Sequence, residues 1–155
     1  MENRSKKNPI SESRPIQIPI PKWKHIVLIM IIGFVVYSNS LKDPFIYDDN
    51  SNIVKNVFIK DWGNLSELFS SRYFSLAQEK TYRPITTLSY FIDYSLWELN
   101  VIGWHVTNIV LHLINALLVY YLLLLILSDY NVSFITALLF CLHPIQTEEN
   151  IGDVA

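Results

Sequence analysis

Glycine and cysteine are scarce in this chain, with four glycines and one cysteine among 155 residues. Scattered glycines of that number build neither a phosphate-cradling loop nor a dinucleotide fingerprint. No nucleophile elbow is present either. The lone thiol, Cys141, can make no intrachain disulfide and cannot anchor a metal site by itself. Set inside an apolar run, it reads as a small packing residue. Charge is also thin, 17% of residues against 51% hydrophobic and 14% aromatic. Six of the twelve Lys and Arg residues fall before residue 25: Arg4, Lys6, Lys7, Arg14, Lys22 and Lys24. No interleaving of basic and aromatic residues follows, so no nucleic-acid partner is expected. A basic head followed at once by an apolar run instead holds a terminus in the cytoplasm.

What the chain has in quantity is apolar sequence, clustered in a way that suits a membrane protein. Residues 1–24 are polar and interrupted by Pro9, Pro15, Pro19 and Pro21, and are expected to be a disordered basic tail. Residues 25–41 form a first apolar segment just long enough to span a bilayer. No small-x-small cleavage pattern follows Val36, so an uncleaved span is favoured over a signal peptide. Residues 42–104 are too polar to span and are read as a long external loop. Within it, Asn64 and Glu67 have capping-box spacing. Further on, Ile85, Leu88, Ile92 and Leu96 mark one apolar helical face behind Pro84, which a first helical turn tolerates. With Tyr90, Tyr94 and Trp97 alongside, this helix is expected to lie in the membrane interface. Packing within a small soluble-type unit is the alternative.

Residues 105–127 are the second expected span, roughly 33 Å long at helical rise. A turn at 128–131 and a shorter apolar run at 132–145 follow, and 146–155 begin a second external segment. The expected fold is therefore all-α and integral to the membrane, with about three transmembrane helices and an interfacial helix in the first loop. With the N-terminus inside, the loop and the His143 end of the third run share the outer side.

Four groups on that side can carry chemistry. Asp48 and Asp49 are adjacent and so point apart, which rules out a proton-sharing dyad. Asp49, with Asn50 and Ser51, suits a helix cap, leaving Asp48 as a candidate general base. A solvated turn is the plainer reading. His105, Asn108, His112 and Asn115 fall within about 80° of one helical face. Polar groups at membrane depth face a cavity or bond to neighbouring helices. The two histidines are about 10 Å apart along the axis, too far for one shared metal. His143, Thr147, Glu148 and Glu149 gather at the end of the third run, where a capped helix terminus is the alternative. Arg83 can bind a phosphate through its forked donors or snorkel to lipid. Asn64-Leu65-Ser66 matches the N-glycosylation pattern on the outer side, as a weak signal.

Together these stretches resemble a known family. Phe45-Ile46-Tyr47-Asp48-Asp49 is similar to its acidic first-loop motif, and Tyr82-Arg83-Pro84-Ile85-Thr86 to its loop-helix motif. Gly103-Trp104-His105-Val106-Thr107-Asn108 with His112, and Leu139 through Glu148, resemble its second and third spans. The family is the transmembrane and tetratricopeptide-repeat-containing O-mannosyltransferases, within the multi-spanning glycosyltransferases that use lipid-linked sugars. The resemblance covers roughly residues 26–155 and implies inverting transfer of a sugar, mannose above all, from a polyprenyl-phosphate carrier to protein Ser or Thr. It assigns the catalytic carboxylate to Asp48 and Asp49, on the lumenal or periplasmic face of an endoplasmic-reticulum or bacterial inner membrane. Arg83, His105, His112, His143 and Glu148 are the expected substrate-binding residues. The implied partners are membrane lipids, the sugar donor as co-substrate and an acceptor protein. A divalent metal is neither required nor excluded by the residues. Relatives of this kind continue into more spans and helical repeats, so this chain is expected to be an N-terminal part, inactive alone.

Overall fold

The computed structural model describes residues 19–45, 49–77 and 82–143. Among them every regular element is helical and no strand occurs. The helices are α1 (Trp23–Tyr37), α2 (Tyr73–Ala77), α3 (Pro84–Trp97), α4 (Val101–Leu127) and α5 (Tyr130–Leu142). Between α1 and α2 run short tight turns, at Ser38–Lys42, Asn50–Val54, Phe58–Lys60 and Trp62–Phe69.

Two helical segments are long and apolar enough to cross a membrane, Trp23–Lys42 with 20 residues and Val101–Leu127 with 27. The third apolar run, expected to span, is the 13-residue helix α5. At helical rise that covers about 20 Å, short of a hydrocarbon core.

Capping explains where the elements begin. Asn100 accepts from the Ile102 amide at 3.1 Å, so α4 starts four residues before the apolar run at 105. Ser128 closes α4 in the left-handed region (φ 54°), and Asp129 accepts from the amides of Asn131 and Val132 at 2.8 and 3.1 Å. The connection shrinks to two residues, and α5 starts at Tyr130. Likewise Asp61, rather than the Asn64 expected from its spacing, caps the turn 62–69 by accepting from Gly63 at 2.8 Å. Glu67 instead accepts from Ser70 at 2.6 Å and from Arg72 at 3.3 Å. Asn64 turns inward and donates to the Phe58 carbonyl at 3.1 Å.

α1, α4 and α5 form a three-helix bundle with its own core: Ile29, Tyr37, Ile109, Leu113, Ala116, Tyr120, Leu124, Ala137 and Cys141. Lys22, just before α1, sits 4.4 Å over the Tyr130 ring at the start of α5, and His25 meets Tyr120 at 3.0 Å. At the other end Tyr37 meets Cys141 and His112. α1 and α5 therefore run parallel and α4 antiparallel to both. Gly33 makes the crossing close, since a Cβ there would strike the Leu113 side chain and the Cys141 sulfur.

The loop builds a second core from Ile53, Phe58, Ile59, Leu68, Tyr73, Ala77, Phe91 and Trp104. Its rings meet edge to face, Phe58 with Tyr73 at 6.1 Å and with Phe91 at 5.5 Å, a geometry aromatic pairs favour. α3 turns Thr87, Phe91 and Asp93 into this core. Of the expected apolar face, Ile85, Ile92 and Leu96 stay exposed, whereas Leu88 packs against this core. Gly103 lets the Trp97 side chain approach α4 closely, because any Cβ there would enter its ring.

Candidate functional site

The start of the loop and the end of α5 come together at one end of the bundle. His105 donates from Nε2 to the Asp43 carbonyl at 2.9 Å, tying the chain just after α1 to the first turns of α4. One heptad on, His112 donates from Nε2 to the Cys141 carbonyl at 3.0 Å. A carbonyl only accepts, so in both histidines the Nε2 nitrogen carries a proton. Tyr37 donates its hydroxyl to the same Cys141 carbonyl at 2.9 Å. The His112 ring stands edge-on to Tyr37 at 5.1 Å and stacks on Phe140 at 5.7 Å.

The four polar residues expected on one face of the second span divide between two environments. His105 and His112 are half-buried against the loop and α5, whereas Asn108 and Asn115 are exposed. Asn115 borders an apolar groove of about 530 Å³ between α4 and α5, with Leu118, Leu122 and Phe140 along it. A sector of about 80° is wide enough to straddle a helix–helix contact and the outer surface.

Among the remaining candidates, Asp49 stands half-buried before the turn Asn50–Val54, but its backbone is already helical (φ −61°, ψ −35°) and its side chain makes no capping hydrogen bond, so the cap expected of it does not form. Phe45, before it, meets the Trp104 ring at 6.2 Å. Asp48 lies outside the described residues, as do the tail 1–18, Thr147, Glu148 and Glu149. Arg83 is exposed at the start of α3, and its carbonyl receives the Thr87 amide at 2.9 Å and the Thr87 hydroxyl at 3.1 Å. His143 is exposed at the C-cap of α5, with its amide 3.4 Å from the Phe140 carbonyl. Asp43 and His105 thus meet near the start of α4, and His143 follows the α5 terminus that His112 and Tyr37 contact. Among the described residues no three His, Cys, Asp or Glu side chains gather closely enough to hold a metal ion.

One functional-looking residue escaped the sequence reading. Asp93 is buried in α3, where loss of solvent pushes its carboxyl above the ordinary value and a hydrogen bond from Thr107 opposes the rise. The Thr107 hydroxyl also accepts from the Trp97 indole at 3.0 Å, so the three side chains join α3 to α4. The signal was a single carboxylate within the aromatic run Tyr90-Phe91-Ile92-Asp93-Tyr94.

Two of the described helices are long and apolar enough to cross a membrane, which points to a membrane-associated helical protein. Comparison with known proteins is specific. The chain is 30% identical over 133 residues to the protein O-mannosyl-transferase F38B6.6 of Caenorhabditis elegans, covering 81% of this chain and 19% of that relative. It is 34% identical over 137 residues to the protein O-mannosyl-transferase TMTC3 of Mus musculus, covering 85% and 15%. It is 28% identical over 153 residues to the protein O-mannosyl-transferase TMTC4 of Homo sapiens, covering 86% and 20%. The chain belongs to the TMTC family. It spans a fifth or less of the length of these relatives. No family model and no solved structure matches it.

Proposed function

We propose that the chain is the N-terminal module of a membrane glycosyltransferase that moves mannose from a polyprenyl-phosphate carrier to Ser or Thr hydroxyls of an acceptor protein. The observation that carries this reading is that one half of α4 holds both the start of the loop and the end of α5, through His105 on the Asp43 carbonyl and His112 on the Cys141 carbonyl. The relatives' printed names support the transfer chemistry. In this reading α1 and α4 cross the membrane with the shorter α5 packed alongside them, the N-terminus is cytoplasmic, and the site opens to the lumenal or periplasmic side. The exposed Ile85, Ile92 and Leu96 on α3 support a helix resting in the interface, with its aromatic face turned into the loop core.

The chemistry follows from the groups. Asp48, or Asp49 beside it, takes the proton of the acceptor hydroxyl. The oxygen attacks the anomeric carbon from the side opposite the phosphate, the carbon–phosphate oxygen bond breaks, and configuration inverts. The polyprenyl phosphate leaves with the negative charge. Arg83 offers a forked set of donors for that charge and His143 a further one. His105 and His112 each commit a ring nitrogen to a backbone carbonyl, which suits them to holding the walls of the site.

The test is mannose transfer from polyprenyl-phosphate mannose to a Ser/Thr peptide, by the full-length protein in membranes. Losing a general base costs about a hundredfold or more, so Asp48→Asn or Asp49→Asn should fall by that factor. Full activity in both variants sinks the catalytic assignment. The exposed Asn108 and Asn115 favour a second reading, a non-catalytic module binding lipid or partner helices along the outer face of α4. That reading predicts loss of assembly in Asn108→Ala and Asn115→Ala, with no consequence of Asp48→Asn.

A further inference from the structure

The last carbonyls of a helix have no partner within it. In α5 the shortage is sharpened by Pro144, which has no amide hydrogen to offer, and by His143, whose extended backbone (φ −68°, ψ 125°) ends the helix. The Cys141 carbonyl faces this end, and it is met by two donors from two other helices. Tyr37 of α1 reaches it at 2.9 Å and His112 of α4 at 3.0 Å. A carbonyl oxygen has two lone pairs, and both are used. Tyr37 is buried and lies one turn beyond Gly33, whose missing side chain allows α1 this close to Leu113 and Cys141. Phe140, stacked on His112, closes the arrangement from α5 itself. Three helices therefore meet at one oxygen atom, two residues before His143.

We propose that Tyr37 and His112 form a two-donor clamp on the Cys141 carbonyl that fixes the direction in which the chain leaves α5. The clamp makes both side chains positioning residues for the His143 end of the site. Its catalytic consequence rests on the glycosyltransferase reading, while its geometry does not.

Cys141 is the sole cysteine, so feeding carbonyl-labelled 13C-cysteine marks this one carbonyl. In the reconstituted chain, isotope-edited infrared spectra should show its band move to higher frequency in Tyr37→Phe and in His112→Leu, further in the double variant, and back toward the original position in His112→Gln. Pulsed electron paramagnetic resonance between nitroxides at Ser66→Cys and His143→Cys, with Cys141→Ser, should give a narrow distance distribution. Tyr37→Phe and His112→Leu should broaden it. In full-length protein, kcat for mannose transfer should fall about ten- to a hundredfold in Tyr37→Phe, with the acceptor KM unchanged. His112→Leu should behave alike and His112→Gln recover. An unmoved carbonyl band overturns the clamp. A band that moves while the distance distribution and kcat stay the same overturns the positioning role. Absence of transfer in the unsubstituted full-length protein removes the glycosyltransferase reading, and the band and distances still decide the clamp.

Discussion

The bundle and the loop unit solve the same packing problem with different residues. Where α1, α4 and α5 cross, Gly33, Ala116, Ser133, Ala137 and Cys141 are buried. The side-chain bonds of Tyr37, His112 and His25 add to the contact. The bundle core also holds Ile29, Leu113 and Leu124, but in the loop unit aromatic rings take the larger share: Phe58, Tyr73, Phe91 and Trp104. The contrast is the one expected where, as proposed, the bundle lies in lipid and the loop unit beside water. Between helices in lipid there is no hydrophobic gain from association, so close approach and hydrogen bonds hold them. Beside water, burying a large apolar side chain contributes about 1.5–3 kcal/mol.

Phe91→Ala gives the sharpest break of that comparison. It should cost the loop unit about 3–5 kcal/mol, seen as lost hydrogen-exchange protection across residues 58–91 while α4 and α5 keep theirs. Simultaneous loss in α5 would mean that the two regions fold as one. Gly33→Val acts on the other side, since its side chain would enter Leu113 and Cys141. About 1–3 kcal/mol of bundle stability should go, read by unfolding in mixed micelles, with the fluorescence of Trp62 in the loop unchanged. Asp93 supplies a pH test. Burial raises its carboxyl above the ordinary 3.8, so between these two values the folded chain holds a proton that the unfolded chain has released. Loop stability should fall as pH rises through that window. Asp93→Asn should abolish the slope and keep the Thr107 bond, within about 1 kcal/mol of the wild type at low pH. Smallest is Lys22→Ala, which removes a cation over Tyr130 and should cost about 0.5–1 kcal/mol of bundle stability.

The two long apolar helices were legible because an unbroken apolar run of that length leaves few alternatives. Pro84 at the head of α3 and the outward apolar stripe of that helix were legible for the same kind of reason, a regular period with a recognisable start. The loop core was not. Phe58, Leu68 and Tyr73 sit on short tight turns that impose no long period on the sequence. The helical period puts His105 and Asn108 in one sector, but a helical projection does not reveal where a neighbouring helix ends, and the two side chains meet different surroundings. Asn64 looked like a cap because its spacing to Glu67 is right, and Asp61 took that place by reaching Gly63 first. For the site, the histidine-bearing helix ends were visible, whereas the part played by Tyr37 depends on a helix crossing that no local pattern encodes.

Trp104 and Leu124 stand on one uninterrupted helix, the first in the loop core and the second in the bundle core. A rod of 27 residues, about 40 Å long at helical rise, behaves as a lever with its load at one tip. Tilting at Trp104 must swing Tyr120, and with it the His25 and Lys22 contacts near the opposite tip. Motion in the loop core thereby acquires a mechanical readout at the far end of the bundle.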